Sequence, residues 1–123
     1  MAANKIVRFG PVALANAAAN IINPPTLAGG VGLSGTNTNT YLVIRHLRIV
    51  NKTATAATYS LYIGATAGSA AGTEFVGTAQ SVAANSYIDW YGMVRLDVAD
   101  FLTGLASAAT TLTIEGEGEI GVA

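Results

Sequence analysis

The chain has 123 residues, a net charge of −1, a single histidine and no cysteine. That length holds one domain, and near-neutral charge gives no electrostatic case for nucleic acid or a membrane surface. The missing cysteine excludes disulfides, thiolate metal sites and a cysteine nucleophile, and the 11% of charged residues compares with about 25% in an ordinary soluble domain. So sparse a charge implies that much of the surface meets other protein.

Residues 1–40 differ from the rest. KIVRF at 5–9 reads as a short strand, and Pro11, Pro24 and Pro25 punctuate the residues after it. LANAAAN at 14–20 has alanine-based helical propensity but neither a cap nor an apolar stripe to dock it. Val12 to Ile22 lacks the long apolar centre of a signal peptide, and no run reaches the 18 apolar residues that suggest a bilayer span. LAGGVGLSGTNTNT at 27–40 reads as a flexible connector. The expectation is an extended N-terminal arm over 1–40 and a β-sandwich domain over 41–123. The arm either packs as an edge segment on its own domain or reaches a neighbour.

Thr40–Asn51 is the first strong strand, rich in β-branched and aromatic residues. Tyr41, Val43, Leu47 and Ile49 share one side of a regular strand, and Leu42, Ile44, His46, Arg48 and Val50 the other. Neither side is purely apolar, so a bend or change of partner is expected near Arg45–His46. Ala57–Ile63 alternates Tyr59, Leu61 and Ile63 against Thr58, Ser60 and Tyr62. A small-residue loop over 64–72 leads to a short strand at Thr73–Val76. In Ser86–Tyr91, Ile88 and Trp90 face one way and Tyr87, Asp89 and Tyr91 the other; Gly92 marks a bulge before Met93–Leu96. DVADFLT at 97–103 reads as a helical turn that tucks Val98, Phe101 and Leu102 inward and ends at Gly104.

The last strand alternates strictly. Leu112, Ile114, Ile120 and Val122 lie on one face with Gly116 and Gly118; Thr111, Thr113, Glu115, Glu117 and Glu119 lie on the other. The glycines leave room for a bulky neighbour, with Trp90 or Phe101 as candidates. About six to eight short strands between turn signals define an all-β antiparallel sandwich of jelly-roll type.

Candidate chemistry is thin. Gly30, Gly32 and Gly35 match a dinucleotide-binding spacing, but no strand precedes them and no acid stands at 52–56, so a linker explains them better. His46 is flanked by Arg45 and Leu47 in mid-strand, and no serine has a nucleophile-elbow context. Glu115, Glu117 and Glu119 fit a solvated or base-paired ladder better than a calcium site, whose ligands normally come from a loop. Arg45, Arg48 and Lys52 make the first strand basic; opposed to an acidic strand, they would form pairs within one subunit or complementary patches between subunits. The Asn51-Lys52-Thr53 sequon is a chance match. No catalytic, cofactor or metal residue is assigned.

The runs LRIVNKTATAATYSLYIGATAGSAAGTE (47–74) and SVAANSYIDWYGMVRLDVADFLTG (81–104) resemble small virion structural proteins of tailed bacteriophages. The resemblance covers roughly half to two-thirds of the chain and carries no functional residue. It implies a non-enzymatic β-sandwich, made in the host bacterial cytoplasm and incorporated in the virion, that decorates the head or joins the neck or tail. The partners implied are the major capsid protein or other virion proteins and further copies of the chain, a trimer being favoured, with no cofactor, nucleic acid or membrane. The candidate interface residues are Tyr41, Arg45, His46, Arg48, Lys52, Tyr62, Tyr87 and Tyr91. A carbohydrate-binding module is the rival; it would stack sugars on Tyr87, Trp90 and Tyr91.

Overall fold

Strict period-two patterning closes into two antiparallel sheets in the computed structural model, which describes residues 5–22, 40–97 and 100–122. Eight strands lie among the described residues: β1 (Lys5–Ala13), β2 (Ala19–Ile22), β3 (Thr40–Asn51), β4 (Ala57–Gly64), β5 (Glu74–Val82), β6 (Ser86–Leu96), β7 (Phe101–Ala106) and β8 (Leu112–Val122). Sheet A has the order β1-β8-β3-β6 and sheet B the order β2-β7-β4-β5. Every connection except β4–β5 crosses from one sheet to the other. This is the double Greek key of a jelly roll, the sandwich that the strand pattern implied.

The inner faces meet in one core. Leu42, Ile44, Leu47, Leu96 and Ile114 from sheet A, with Ile22, Leu61, Val82 and Leu102 from sheet B, are essentially inaccessible. Each such side chain stabilises the fold by roughly 1.5–3 kcal/mol relative to leaving it exposed. Trp90 joins the core's margin and meets Phe75 edge-on, with ring centroids 4.9 Å apart.

The segment expected as an arm enters the sheets over Lys5–Ala13 and Ala19–Ile22, as an edge strand of each. Phe9, Leu14 and Ile22 are buried there, so this stretch belongs to the sandwich. Pro11, which cannot donate to a ladder, sits on edge strand β1 beside a register shift between Phe9 and Val12. Gly10 supplies the positive φ of 78° there. The 27–40 connector, apart from Thr40, and the Gly30–Gly35 motif lie outside the described residues.

β3 shifts register between Ile44 and His46 against both neighbours, which leaves Arg45 unpaired. The extra residue reverses the alternation: Leu42 and Ile44 point inward before it, Leu47 and Ile49 after it. That is the bend expected from the mixed faces. β6 compensates with Gly92–Met93 opposite Arg45. In β8, a side chain on Gly116 would meet Phe9 and Leu47, and one on Gly118 would meet the backbone of Val43 and Ile44. The bulky neighbour is therefore Phe9, not Trp90 or Phe101.

Two local expectations change. Of the helical turn expected over 97–103, residues 101–103 are strand: β7 begins at Phe101, just after Asp100 donates its N–H to the Asp97 carbonyl at 3.1 Å. Leu102 is buried as expected, Val98 lies outside the described residues, and Gly104 sits inside the strand against Leu61 and Ile21. Pairing with β4 holds 101–103 as strand. The strand expected at Thr73–Val76 extends as β5 to Val82, interrupted where Ser60 lies opposite residues 76–79. Asn51 is buried and its amide donates to the Thr55 and Val82 carbonyls at 2.9 and 3.1 Å. Its sequon nitrogen is thus committed to folding.

Candidate interface on the outer face of sheet A

Alternation along four paired strands gives sheet A an outer face built in rows. Reading β1-β8-β3-β6, one row is Ile6, Glu119, Val43, Arg95; the next is Arg8, Glu117, His46, Tyr91. A third holds Glu115, Arg48 and Asp89, and a fourth Ala13, Thr113, Val50 and Tyr87. Down the columns, β1 is basic at Arg8, β8 acidic, β3 basic, and β6 acidic at Asp89 though basic at Arg95. All 6 lysines and arginines lie on sheet A strands or, for Lys52, one residue beyond β3.

Cross-strand ion pairs connect the columns. Arg45 Nη2 donates to Glu119 Oε2 at 2.7 Å from the bulge. Arg48 grips Asp89 with two bonds, Nε to Oδ1 at 2.8 Å and Nη2 to Oδ2 at 3.1 Å. His46 lies between carboxylates, with Nε2 2.8 Å from Asp89 Oδ1 and Nδ1 3.2 Å from Glu117 Oε1. Carboxylates only accept, so both contacts are hydrogen bonds when the ring carries two protons; a neutral ring makes one. The Arg48 fork, followed by the His46 bond, holds the Asp89 carboxyl at about 2, below its ordinary 3.8. The hydrogen bond to Asp89 in turn raises Arg48.

Aromatic side chains lie on this framework. Tyr91 stacks on His46 at 4.7 Å between ring centroids, Arg48 covers Tyr87 at 4.5 Å and Arg95 covers Tyr41 at 4.4 Å. Large apolar groups also remain open: Ile6 is 82% exposed, Tyr91 71%, Met93 67% and Tyr87 54%. All four belong to β1 and β6, the edge strands of this sheet. Two shallow depressions flank Glu117, one bordered by Arg8, His46, Arg48 and Glu115, the other by Ile6, Arg45 and Glu119.

Of the candidate interface residues, Tyr41, Arg45, His46, Arg48, Tyr87 and Tyr91 come together on sheet A. Lys52 is exposed just beyond β3, whereas Tyr62 lies on β4 in the other sheet. Sequence reading left out Asp89, the acceptor shared by His46 and Arg48, and also Ile6, Arg8, Met93 and Arg95. Asp89 had a signal, its place on the same strand side as Tyr87 and Tyr91. Trp90 points inward while Tyr87 and Tyr91 point outward, so the three make no common sugar platform. Among the described residues, no cluster of three His, Asp or Glu side chains is placed to hold a metal ion, and no helix is long and apolar enough to cross a membrane.

Neither a protein-family model nor a curated protein matches the chain. Among solved structures, it is similar to a chain in the structure of infectious bursal disease virus, Gx strain, at 6% identity and a TM-score of 0.40. The match covers 95% of this chain and 28% of that one.

Proposed function

We propose that this jelly roll is a non-enzymatic structural protein of a bacteriophage virion, and specifically a head decoration protein working as a small oligomer. The observation that carries the reading is the outer face of sheet A. It gathers Arg8, Arg45, Arg48 and Arg95, four acidic side chains and the exposed large apolar groups on one regular surface, in a chain otherwise poor in charge. Exposed ion pairs contribute roughly 0–1 kcal/mol each to a fold, so their concentration on one face serves recognition better than stability. The sequence resemblance of residues 47–104 supplies the virion context. Bound to a shell, such a protein stabilises the assembled state by mass action.

Quantitative mass spectrometry of purified particles tests this. Decoration predicts copies in the hundreds per virion, because every capsomer junction is equivalent. Six or twelve copies would overturn decoration in favour of a neck or tail position.

A further inference from the structure

We infer that the outer face of sheet A binds the same face of a second copy of this chain, related by a two-fold axis lying along the strands. The inference rests on reading this face as a contact surface and does not depend on the virion role. A two-fold axis parallel to the strands, midway between the two faces and above the gap between β8 and β3, reverses the order of columns and keeps each row at its height. β8 of one copy then covers β3 of the other, and β1 covers β6.

The charges suit that operation. Glu115 faces Arg48 of the second copy, Glu117 faces its His46, and Glu119 faces the bulge that carries its Arg45. An acidic column meets a basic one twice, as an isologous contact requires. The same operation carries Arg8 onto Tyr91 of the second copy, and Ile6 onto its Arg95 beside Met93. The two edge strands, which carry all the exposed large apolar groups, are thus each covered by the other copy, Ile6 against the Arg95 stem beside Met93 and Tyr91 against Arg8. These two features are independent: one concerns the central columns, the other the margins.

The size is adequate. Four strands about 4.8 Å apart and about nine residues long at about 3.4 Å each present roughly 600 Å² per copy. Two such faces bury about 1,200 Å², the lower end of specific interfaces. Sheets packed face to face cross by about 30°, which displaces the end rows and leaves the His46–Glu117 rows near the centre.

Sedimentation of the full chain provides the test. The wild type should be a dimer at micromolar concentration, weakened about tenfold between low salt and about 0.5 M salt. The double variants Arg45→Glu/Arg48→Glu and Glu115→Arg/Glu119→Arg should each be monomeric, because like columns then face each other. Mixed in equal amounts, they should form a heterodimer, since each restores what the other lacks. Circular dichroism and thermal melts verify that both remain folded; if either does not, Ile6→Lys replaces them: it sets a cation against Arg95 of the second copy and should weaken the wild-type dimer at least tenfold, an unchanged dimer counting against the pairing. A wild-type monomer, a trimer, or folded charge variants that stay monomeric on mixing would overturn the face-to-face pair. None of these results alters the copy number per particle, so the virion reading stands or falls separately.

Discussion

On sheet B the chain covers its own outer surface. The 65–73 loop is anchored where Thr103 donates its hydroxyl to the Gly68 carbonyl at 2.6 Å, and where Asn20 bonds Thr66 and Ala67 at 3.0 and 2.7 Å. Ser60 holds the irregular part of β5 by accepting the Ala79 N–H at 2.8 Å. Apart from Glu74, the strands of that sheet carry no charge. On sheet A no loop among the described residues intervenes, and ionised side chains and tyrosines stand open in rows. A surface tied down by hydrogen bonds to its own chain stabilises the monomer; a surface of solvated ion pairs adds little to folding and much to discrimination between partners.

Four substitutions sharpen the contrast. The largest effect is expected beneath the charged face, at Gly118→Ala. The added methyl would press on the backbone of Val43 and Ile44, which cannot swing aside, so urea denaturation should show a loss of about 3 kcal/mol. On the covered face, Thr103→Val removes a buried donor and leaves the Gly68 carbonyl unpaired; a loss of about 1–2 kcal/mol is expected, together with faster hydrogen exchange in the 65–73 loop. Equal exchange in variant and wild type would mean that the loop does not depend on that bond.

The next effect depends on pH. Asp89 is lowered from 3.8 to about 2 in the fold, so its contribution is present above about pH 4 and is lost as pH falls toward 2. Asp89→Asn should therefore flatten the stability profile across that interval, measured by thermal melts. A profile parallel to the wild type would break the assignment. The smallest effect belongs to Arg45→Ala, whose partner Glu119 is also solvent-accessible: a change of no more than about 0.5 kcal/mol in monomer stability. If Arg45 proved as costly as Thr103, the two faces would not differ as described.

Local patterning carried much of this fold. β8 was legible because strict alternation admits few other readings, and the bend in β3 because Leu42 and Ile44 stand out of phase with Leu47 and Ile49. The opposed directions of Trp90 and Tyr91 were legible for the same reason. β7 was not: FLTGLA alternates weakly, and its state is decided by β4 and β2, far away in sequence. The site was half legible. Basic and acidic columns could be read from β3 and β8, but Asp89 gains its role only through its register opposite Arg48, and that register is a tertiary fact. Phe9 beneath Gly116 was hidden likewise, since β1 and β8 stand at opposite ends of the chain.

The position of β8 has a consequence in time. The latest of the described strands in chain order, β8, is an inner strand of sheet A, between β1 and β3. Until β8 has left the ribosome, β1 has no partner and β3 has one free edge, both carrying apolar side chains. Closing so long a loop costs entropy before any contact repays it, and folds of this connectivity form slowly. Unpaired strands of that kind are where nascent chains join one another. Glu115, Glu117 and Glu119 enter with the strand that ends the exposure, so the residues that wait for β8 are more basic than the sheet it completes.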